Sequence, residues 1–420
     1  MRILYLIHQF FPEYPTGTER FTLDLATAMQ RAGHCVRVLA WSAGKFPFSR
    51  EEHGVLLRDY SYQGVAVTAF RPKQERPHFD FHMENDAGLS RLAQDMLPDR
   101  YDFIHVSHLM RTAPFVLSAI ENRISYLVTL TDYYALCYHA TLRNLRHELC
   151  AGPKAGKACA KDCRLPWMPD GYLTRRISSA GMILSKAARI TTPSRYLAQT
   201  VRGEFPDLEI EVIRYGISMG GSQRQRKRYS KKSPITFAYL GALIPAKGVH
   251  VLIKAFRKLR DPKCRLKIYG IAELRDYFLD LLGLAHGDCR IAFCGPYESR
   301  PQLYRILDSV DATCVPSIWP DNYPLVIMEA QARSVPVIGS RIGAIPEAIE
   351  DGVNGFLCKP DDPQALYQVM NRIVDNPQLL SAVKRAIPAI RTVEEEAVEF
   401  ESLYYDMLKK SPIPAKEAVL

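Results

Sequence analysis

Strand-like apolar runs alternate with amphipathic stretches from one end of the chain to the other, a pattern that predicts doubly wound α/β layers. The first run, Ile3 to Ile7, feeds a polar loop that ends Pro15-Thr16-Gly17-Thr18. A helix is predicted from about Glu19 to Ala32, since Phe21, Leu25, Ala28 and Met29 fall on one face, and Gly33 should stop it. Strands are predicted near Val36 to Ala40, Phe103 to Val106, Tyr126 to Thr129 and Ile190 to Thr192. The last leads through Pro193-Ser194 into another capped helix.

After Ile217 comes the only long stretch without apolar periodicity, and then a fresh strand, Ile235 to Leu240. Strand and helix repeat from there, with strands near Leu266 to Tyr269, Ile291 to Cys294, Ala312 to Val315, Val337 to Ile338 and Gly355 to Leu357. An acidic, then aromatic helix from Val393 to Lys409 closes the pattern. At 420 residues the chain suits two domains of roughly 200 each. The expected division is 1–216, a basic linker 217–234, 235–392, and a closing helix within 393–420.

Apolar residues at 47 % and charged residues at 24 % are ordinary for a globular protein. The first apolar run is too short for a secretory core, and no stretch approaches the ~20 apolar residues of a membrane span. A cytoplasmic protein is expected. Net charge is +10, with Arg224, Arg226, Lys227, Arg228, Lys231 and Lys232 packed together. Such a run is either a solvated loop or an attractor of anionic lipid headgroups, worth ~1 kcal/mol per basic residue. Nucleic acid is not an expected partner, because no basic-aromatic interleaving or zinc finger accompanies the charge.

Of ten cysteines, Cys35, Cys264, Cys289, Cys294, Cys314 and Cys358 lie in or beside apolar strands, as small buried hydrophobes do. Cys137, Cys150, Cys159 and Cys163 cluster instead in a Gly/Lys-rich loop. With no export signal, disulfides are not expected there, which leaves free thiols or a zinc clip of unusual spacing.

The candidate chemistry concentrates in residues 316–347. Asp321 and Glu329 stand eight positions apart around a predicted helix start, Leu325 to Ala332, that follows an apolar strand. Pro324 suits the first helical position, leaving the N–H groups of Leu325 and Val326 as donors at a positive dipole end, a seat for a diphosphate. Asp321 can accept hydrogen bonds from sugar hydroxyls, and Glu329 can reach a ribose diol. Each acid alone could equally be a cap or dipole partner.

The whole string, from Pro316-Ser317-Ile318-Trp319-Pro320-Asp321 through Glu329 and Pro336-Val337-Ile338 to Gly343-Ala344-Ile345-Pro346-Glu347, resembles the retaining glycosyltransferases of family 4. Their signature is Glu-x7-Glu, a small-residue helix, Pro-Val-Ile and Gly-Gly-x-x-Glu. Here Asp321 replaces the first Glu, Pro324 and Ser334 stand where glycines are usual, and Ala344 replaces the second glycine of the last element. The resemblance implies the GT-B architecture, two Rossmann-like doubly wound domains facing a cleft, with the closing helix packed back on the first. It also implies transfer of a hexose-type sugar from a nucleoside-diphosphate sugar, with anomeric retention and no cofactor. The implied acceptor is a glycan or lipid-linked glycan. A sugar-nucleotide epimerase and a catalytically weak sugar-nucleotide-binding protein are the rival readings.

The other candidates follow from that frame. Lys247, after the strand ending Tyr239-Leu240-Gly241, is placed to neutralise the departing diphosphate, although a lysine at a helix start is commonly a solvated surface group. The family's Arg after Gly241 is Ala242 here. Gly17 and Thr18 occupy the place of a glycine pair that lets the backbone approach the donor phosphate and the acceptor; an ordinary left-handed turn is the alternative. Asp132 could accept a hydrogen bond from the acceptor hydroxyl, and His108 could supply the imidazole that Thr131 replaces in the family's His-Asp pair. His105, inside an apolar strand, reads as a core histidine.

Overall fold

The computed structural model describes residues 1–98, 100–146, 148–218, 229–230 and 233–410. The chain divides into two compact units. One is Met1–Gly216 with the helix that starts at Val393, and the other is Ile217–Thr392.

The first unit is built on nine strands: β1 (Arg2–Ile7), β2 (Cys35–Trp41), β3 (Arg50–Glu52), β4 (Val55–Tyr62), β5 (Val65–Pro72), β6 (Phe103–Val106), β7 (Tyr126–Thr129), β8 (Arg189–Thr192) and β9 (Glu211–Val212). Their order in the sheet is β3-β4-β5-β2-β1-β6-β7-β8-β9. From β5 to β9 all pairings are parallel, and the strands are nearly continuous apolar runs because helices cover both faces. The antiparallel β3, β4 and β5 were not expected from the sequence. In β4 only Val55 and Leu57 are buried and the rest is half-buried or exposed, a weaker signal than a solid apolar run. Its flanking turns, His53-Gly54 and Gln63-Gly64, hold both residues at positive φ, the geometry of two-residue hairpins.

Helix Gly17–Arg31 buries Phe21, Leu25, Ala28 and Met29, the face its spacing predicted. Helix Val393–Lys410 also belongs to this unit, with Phe400, Tyr404 and Met407 buried. A buried polar chain fastens it. Tyr404 Oη lies 3.1 Å from Tyr5 Oη and 2.6 Å from His105 Nδ1, while His105 Nε2 lies 2.7 Å from Thr129 Oγ1. His105 is thus a satisfied core histidine.

The second unit has six parallel strands, β10 (Thr236–Leu240), β11 (Arg265–Tyr269), β12 (Ile291–Gly295), β13 (Ala312–Val315), β14 (Val337–Ser340) and β15 (Gly355–Cys358). They lie in the order β12-β11-β10-β13-β14-β15. This is the doubly wound Rossmann order, with its topological switch point between β10 and β13. Strands β5, β2, β1, β6, β7 and β8 repeat the same order in the first unit, where the switch falls between β1 and β6.

Two expectations are corrected. Part of the predicted linker 217–234 is core, because Tyr229 is buried and donates to Asp311 Oδ1 at 2.8 Å. Arg224, Arg226, Lys227, Arg228, Lys231 and Lys232 lie outside the described residues. Of the six cysteines expected to be buried, Cys264, Cys314 and Cys358 are, whereas Cys35, Cys289 and Cys294 are exposed. Cys35 opens β2, and the other two flank or end the poorly covered edge strand β12. Among the described residues no helix is long and apolar enough to cross a membrane.

Candidate active site

Open α/β sheets bind ligands beyond the carboxyl ends of their strands at the switch point. In the second unit the segments leaving β10 and β13 carry Lys247 and Asp321. Lys247 Nζ donates to Asp321 Oδ2 at 2.6 Å, and Ser317 Oγ donates to the same oxygen at 3.0 Å. The carboxylate side chain is 7 % exposed and the lysine 26 %. Lys247 also stands 5.2 Å from the centroid of the Trp319 ring, within cation–π range. Ser317 was missed in the sequence, where a serine in a loop carries no distinguishing pattern.

Close backbone approaches hold these two segments in register. A Cβ on Gly248 would sit 1.9 Å from the Pro316 carbonyl oxygen, so only glycine lets the Lys247 turn meet the loop after β13. Ile318 N–H then donates to Ala246 O at 2.9 Å. On the far side, Gly343 is at φ 60°, and a Cβ there would lie 2.5 Å from Asp321 O. Ala344 N–H donates to that oxygen at 2.8 Å. Gly241 directly follows β10, and its amide donates to Tyr269 O at 3.1 Å. The Ala242 carbonyl beside it accepts from Tyr239 Oη at 2.7 Å.

Helix Leu325–Ala332 has the expected bounds, but Pro324, at φ −61° and ψ 124°, is its N-cap and not its first helical residue. Tyr323 before it is left-handed, at φ 52°. The chain therefore turns sharply and enters the helix at Leu325. Leu325 and Val326 precede Ile327, whose amide closes the first turn on Pro324 O at 3.0 Å. Their N–H groups thus point off the positive helix end. Glu329 lies on this helix and is 4 % exposed.

In the first unit the switch point joins two histidines. His8 follows β1 and His108 follows β6, with ring centroids 4.0 Å apart. Met110 N–H donates to His108 Nδ1 at 3.0 Å, which assigns the proton to Nε2, facing Asp132 Oδ2 at 2.9 Å. Asp132 Oδ1 accepts Tyr134 N–H at 2.7 Å. Both nitrogens of His108 are thus engaged, and the Asp132 side chain remains 25 % exposed.

Gly17 and Thr18 stand at a helix start, not in the left-handed turn that is the alternative reading of this pair. They are the first two residues of helix Gly17–Arg31, behind an extended Thr16 N-cap, and Gly17 is not left-handed. Both precede Arg20, whose amide closes the first turn on Thr16 O at 3.1 Å. Thr16 Oγ1 donates to the Glu19 carboxylate, and His8 Nε2 stands 3.4 Å from Glu19 Oε1. Burial pushes the Glu19 carboxyl up, and burial, then His108 and Arg111, hold His8 well below its ordinary value. In the sequence His8 only ended an apolar run; its position directly after a strand was the available signal.

Residues 15–219 match the model of the Glycosyltransferase Family 4 group, and residues 222–389 match that of glycosyl transferases group 1. The chain belongs to this glycosyltransferase family. It is similar to glycogen synthase from Mycobacterium tuberculosis, 26 % identical over 392 residues that span 92 % of this chain and 89 % of that protein. It is also similar to D-inositol 3-phosphate glycosyltransferase from Corynebacterium diphtheriae, 30 % identical over 217 residues, 48 % of this chain and 49 % of that one. Among solved structures, sucrose-phosphate synthase from Thermosynechococcus elongatus superposes with a TM-score of 0.72 at 16 % identity, covering 97 % of this chain and 100 % of that chain. Anabaena HepE in complex with UDP and glucose gives 0.67 at 17 % identity, covering 96 % and 99 %. The glycosyltransferase therefore has the GT-B fold of two Rossmann-like domains.

Proposed function

We propose that this glycosyltransferase moves a hexose-type sugar, with retention, from a nucleoside-diphosphate sugar to a glycan or lipid-linked acceptor. The observation that carries the reading is the Lys247–Asp321 pair at the switch point of the second unit, beside a helix start that offers the Leu325 and Val326 amides. In this reading the diphosphate takes the helix amides and Lys247, Asp321 accepts sugar hydroxyls, and Glu329 accepts the ribose diol. The UDP and glucose bound by Anabaena HepE support a nucleotide-sugar donor.

The bond from the anomeric carbon to the phosphate oxygen breaks while the acceptor oxygen bonds to that carbon on the same face. The acceptor proton passes to the departing phosphate oxygen, giving a glycoside and a nucleoside diphosphate. Charge grows on the phosphate during this step, so a cation fixed there contributes more to the transition state than to the ground state. Asp132, held by His108, is proposed to accept a hydrogen bond from the acceptor hydroxyl. No metal or cofactor is needed for this chemistry.

Donor choice is tested by thermal stabilisation with UDP-, GDP- and ADP-sugars. A ligand at 100 times its Kd stabilises the folded state by ~2.7 kcal/mol, so the true donor raises the melting temperature and the others do not. No stabilisation by any of them contradicts the donor reading. Release of an isomeric nucleotide sugar would favour the epimerase alternative.

We further propose action at the cytoplasmic membrane face, in synthesis of an envelope glycan, supported by the +10 charge and the basic run at 224–232. Binding to anionic vesicles should weaken steeply as salt shortens the Debye length from ~10 Å at 0.1 M to ~3 Å at 1 M. Replacing the six basic residues by Gln should abolish it, and equal binding by that variant rules the role out.

A further inference from the structure

Arg176 lies on helix Tyr172–Ser185 of the first unit and is 3 % exposed. A guanidinium stays protonated in a protein, and a buried charge is normally paired. Among the described residues no carboxylate pairs with this one, and its Nε and Nη1 have no hydrogen-bond partner. An apolar side chain of like volume would fill the same place at lower cost. The hydrogen bond and the ring contact of Arg176 both go to one residue. Its Nη2 donates to Tyr134 O, and its guanidinium carbon stands 4.5 Å from the centroid of the Tyr134 ring, within cation–π range.

Tyr134 in turn is buried and meets the histidine–aspartate pair of this unit. Its amide donates to Asp132 Oδ1 at 2.7 Å, its ring centroid lies 5.2 Å from that of His108, and its Oη donates to Asp80 O. The Asp80 carboxylate accepts from Arg111, whose Nη1 reaches His8 O at 3.4 Å. A residue has only two soft backbone dihedrals, so fixing the ring and the carbonyl of Tyr134 also fixes the direction of its amide. Each oxygen of Asp132 therefore has one directing donor, His108 on Oδ2 and the Tyr134 amide on Oδ1, and Arg176 holds the second of these from behind.

We propose that Arg176 is a positioning residue for the acceptor: it clamps Tyr134 and thereby aims the Asp132 carboxylate. The proposal rests on reading Asp132 as the hydrogen-bond partner of the acceptor hydroxyl. Arg176 needs no contact with substrate for this role. Aim matters because a reacting group displaced by ~1 Å can cost ~100-fold in rate. An arginine kept for stability would be missed by the fold, whereas one kept for aim is missed by the reaction.

Arg176→Met separates the two. It removes the buried charge and keeps most of the volume, so the full chain should melt within a few degrees of the wild type or above it. Release of nucleoside diphosphate from the stabilising donor, with water in the acceptor's place, should fall about tenfold with donor affinity unchanged. Asp132→Asn/Arg176→Met should be no slower than Asp132→Asn alone, because both changes act on one carboxylate. A donor-free readout is the His108 Nε2 proton resonance in isotope-labelled protein, assigned by its loss in His108→Asn, which Arg176→Met should shift. Failure of Arg176→Met to fold, additive losses in the double variant, or an unmoved resonance overturns the proposal. Full activity in Asp132→Asn removes the reading of Asp132 and this proposal with it; an undiminished Arg176→Met beside a weakened Asp132→Asn removes this proposal alone. Should no donor stabilise the chain, the resonance decides.

Discussion

Lys247 Nζ and Asp321 Oδ2 lie 2.6 Å apart, so the cation proposed for the donor phosphates and the carboxylate proposed for the sugar are each other's partner before substrate arrives. Lys247→Ala should lower kcat by about 100-fold while moving KM little, because its charge is needed most as the phosphate departs. A change confined to KM would make Lys247 a binding residue.

The same pair predicts a stability effect. Lys247→Met leaves a carboxylate that is 7 % exposed without its cation, at a cost of ~1–3 kcal/mol, or a few degrees in melting temperature. Lys247→Met/Asp321→Asn should recover much of it. If the double variant melts no higher than the single one, the pair is not an electrostatic unit.

Glu329→Ala should weaken donor binding by ~1.5–3 kcal/mol, the range for a hydrogen bond to a charged group. Calorimetric titration with the donor identified by thermal stabilisation measures it. Unchanged affinity in a folded variant removes Glu329 from the ribose.

Asp132→Asn should reduce turnover about 10- to 100-fold, the loss of ~1.5–3 kcal/mol of acceptor orientation, and leave donor affinity unchanged. His108→Asn should do the same more mildly, since it acts through Asp132. An effect of either on donor binding would place them elsewhere.

His105 predicts a pH dependence. Burial holds its imidazole down at about 3, against an ordinary value of 6.5. Between those values the unfolded chain binds the proton and the folded chain does not. Its contribution is therefore full above pH 6.5 and is lost as pH falls toward 3, at up to ~1.4 kcal/mol per pH unit. Denaturant unfolding at pH 7, 6 and 5 should show a slope shallower by about one proton in His105→Gln. Equal slopes in the two proteins would mean that His105 is already protonated when folded.

Parallel strands such as β1, β6, β7 and β13 were legible because burial on two faces writes solid apolar runs. The β4–β5 hairpin was not, since only Val55 and Leu57 of β4 are buried and its charges Arg58 and Asp59 break the apolar run. Asp321, Lys247 and Glu329 were visible through a family string together with strand-end placement. What the sequence could not display was pairing across distance. Ser317 on Asp321, His8 against His108 and Glu19, and the commitment of both His108 nitrogens all depend on which strand ends lie side by side. Pro324 shows the limit at one residue: its fixed φ fits an N-cap as well as a first helical position, and only ψ, set by the turn at Tyr323, decides between them.

The most direct measurement is proton NMR of the enzyme with its stabilising donor and no acceptor, following the anomeric signals as water replaces the acceptor. The account predicts release of nucleoside diphosphate, a first-formed free sugar with the donor's own anomeric configuration, and near-complete loss of this signal in Lys247→Ala. An inverted first product, or undiminished release by Lys247→Ala, would contradict it.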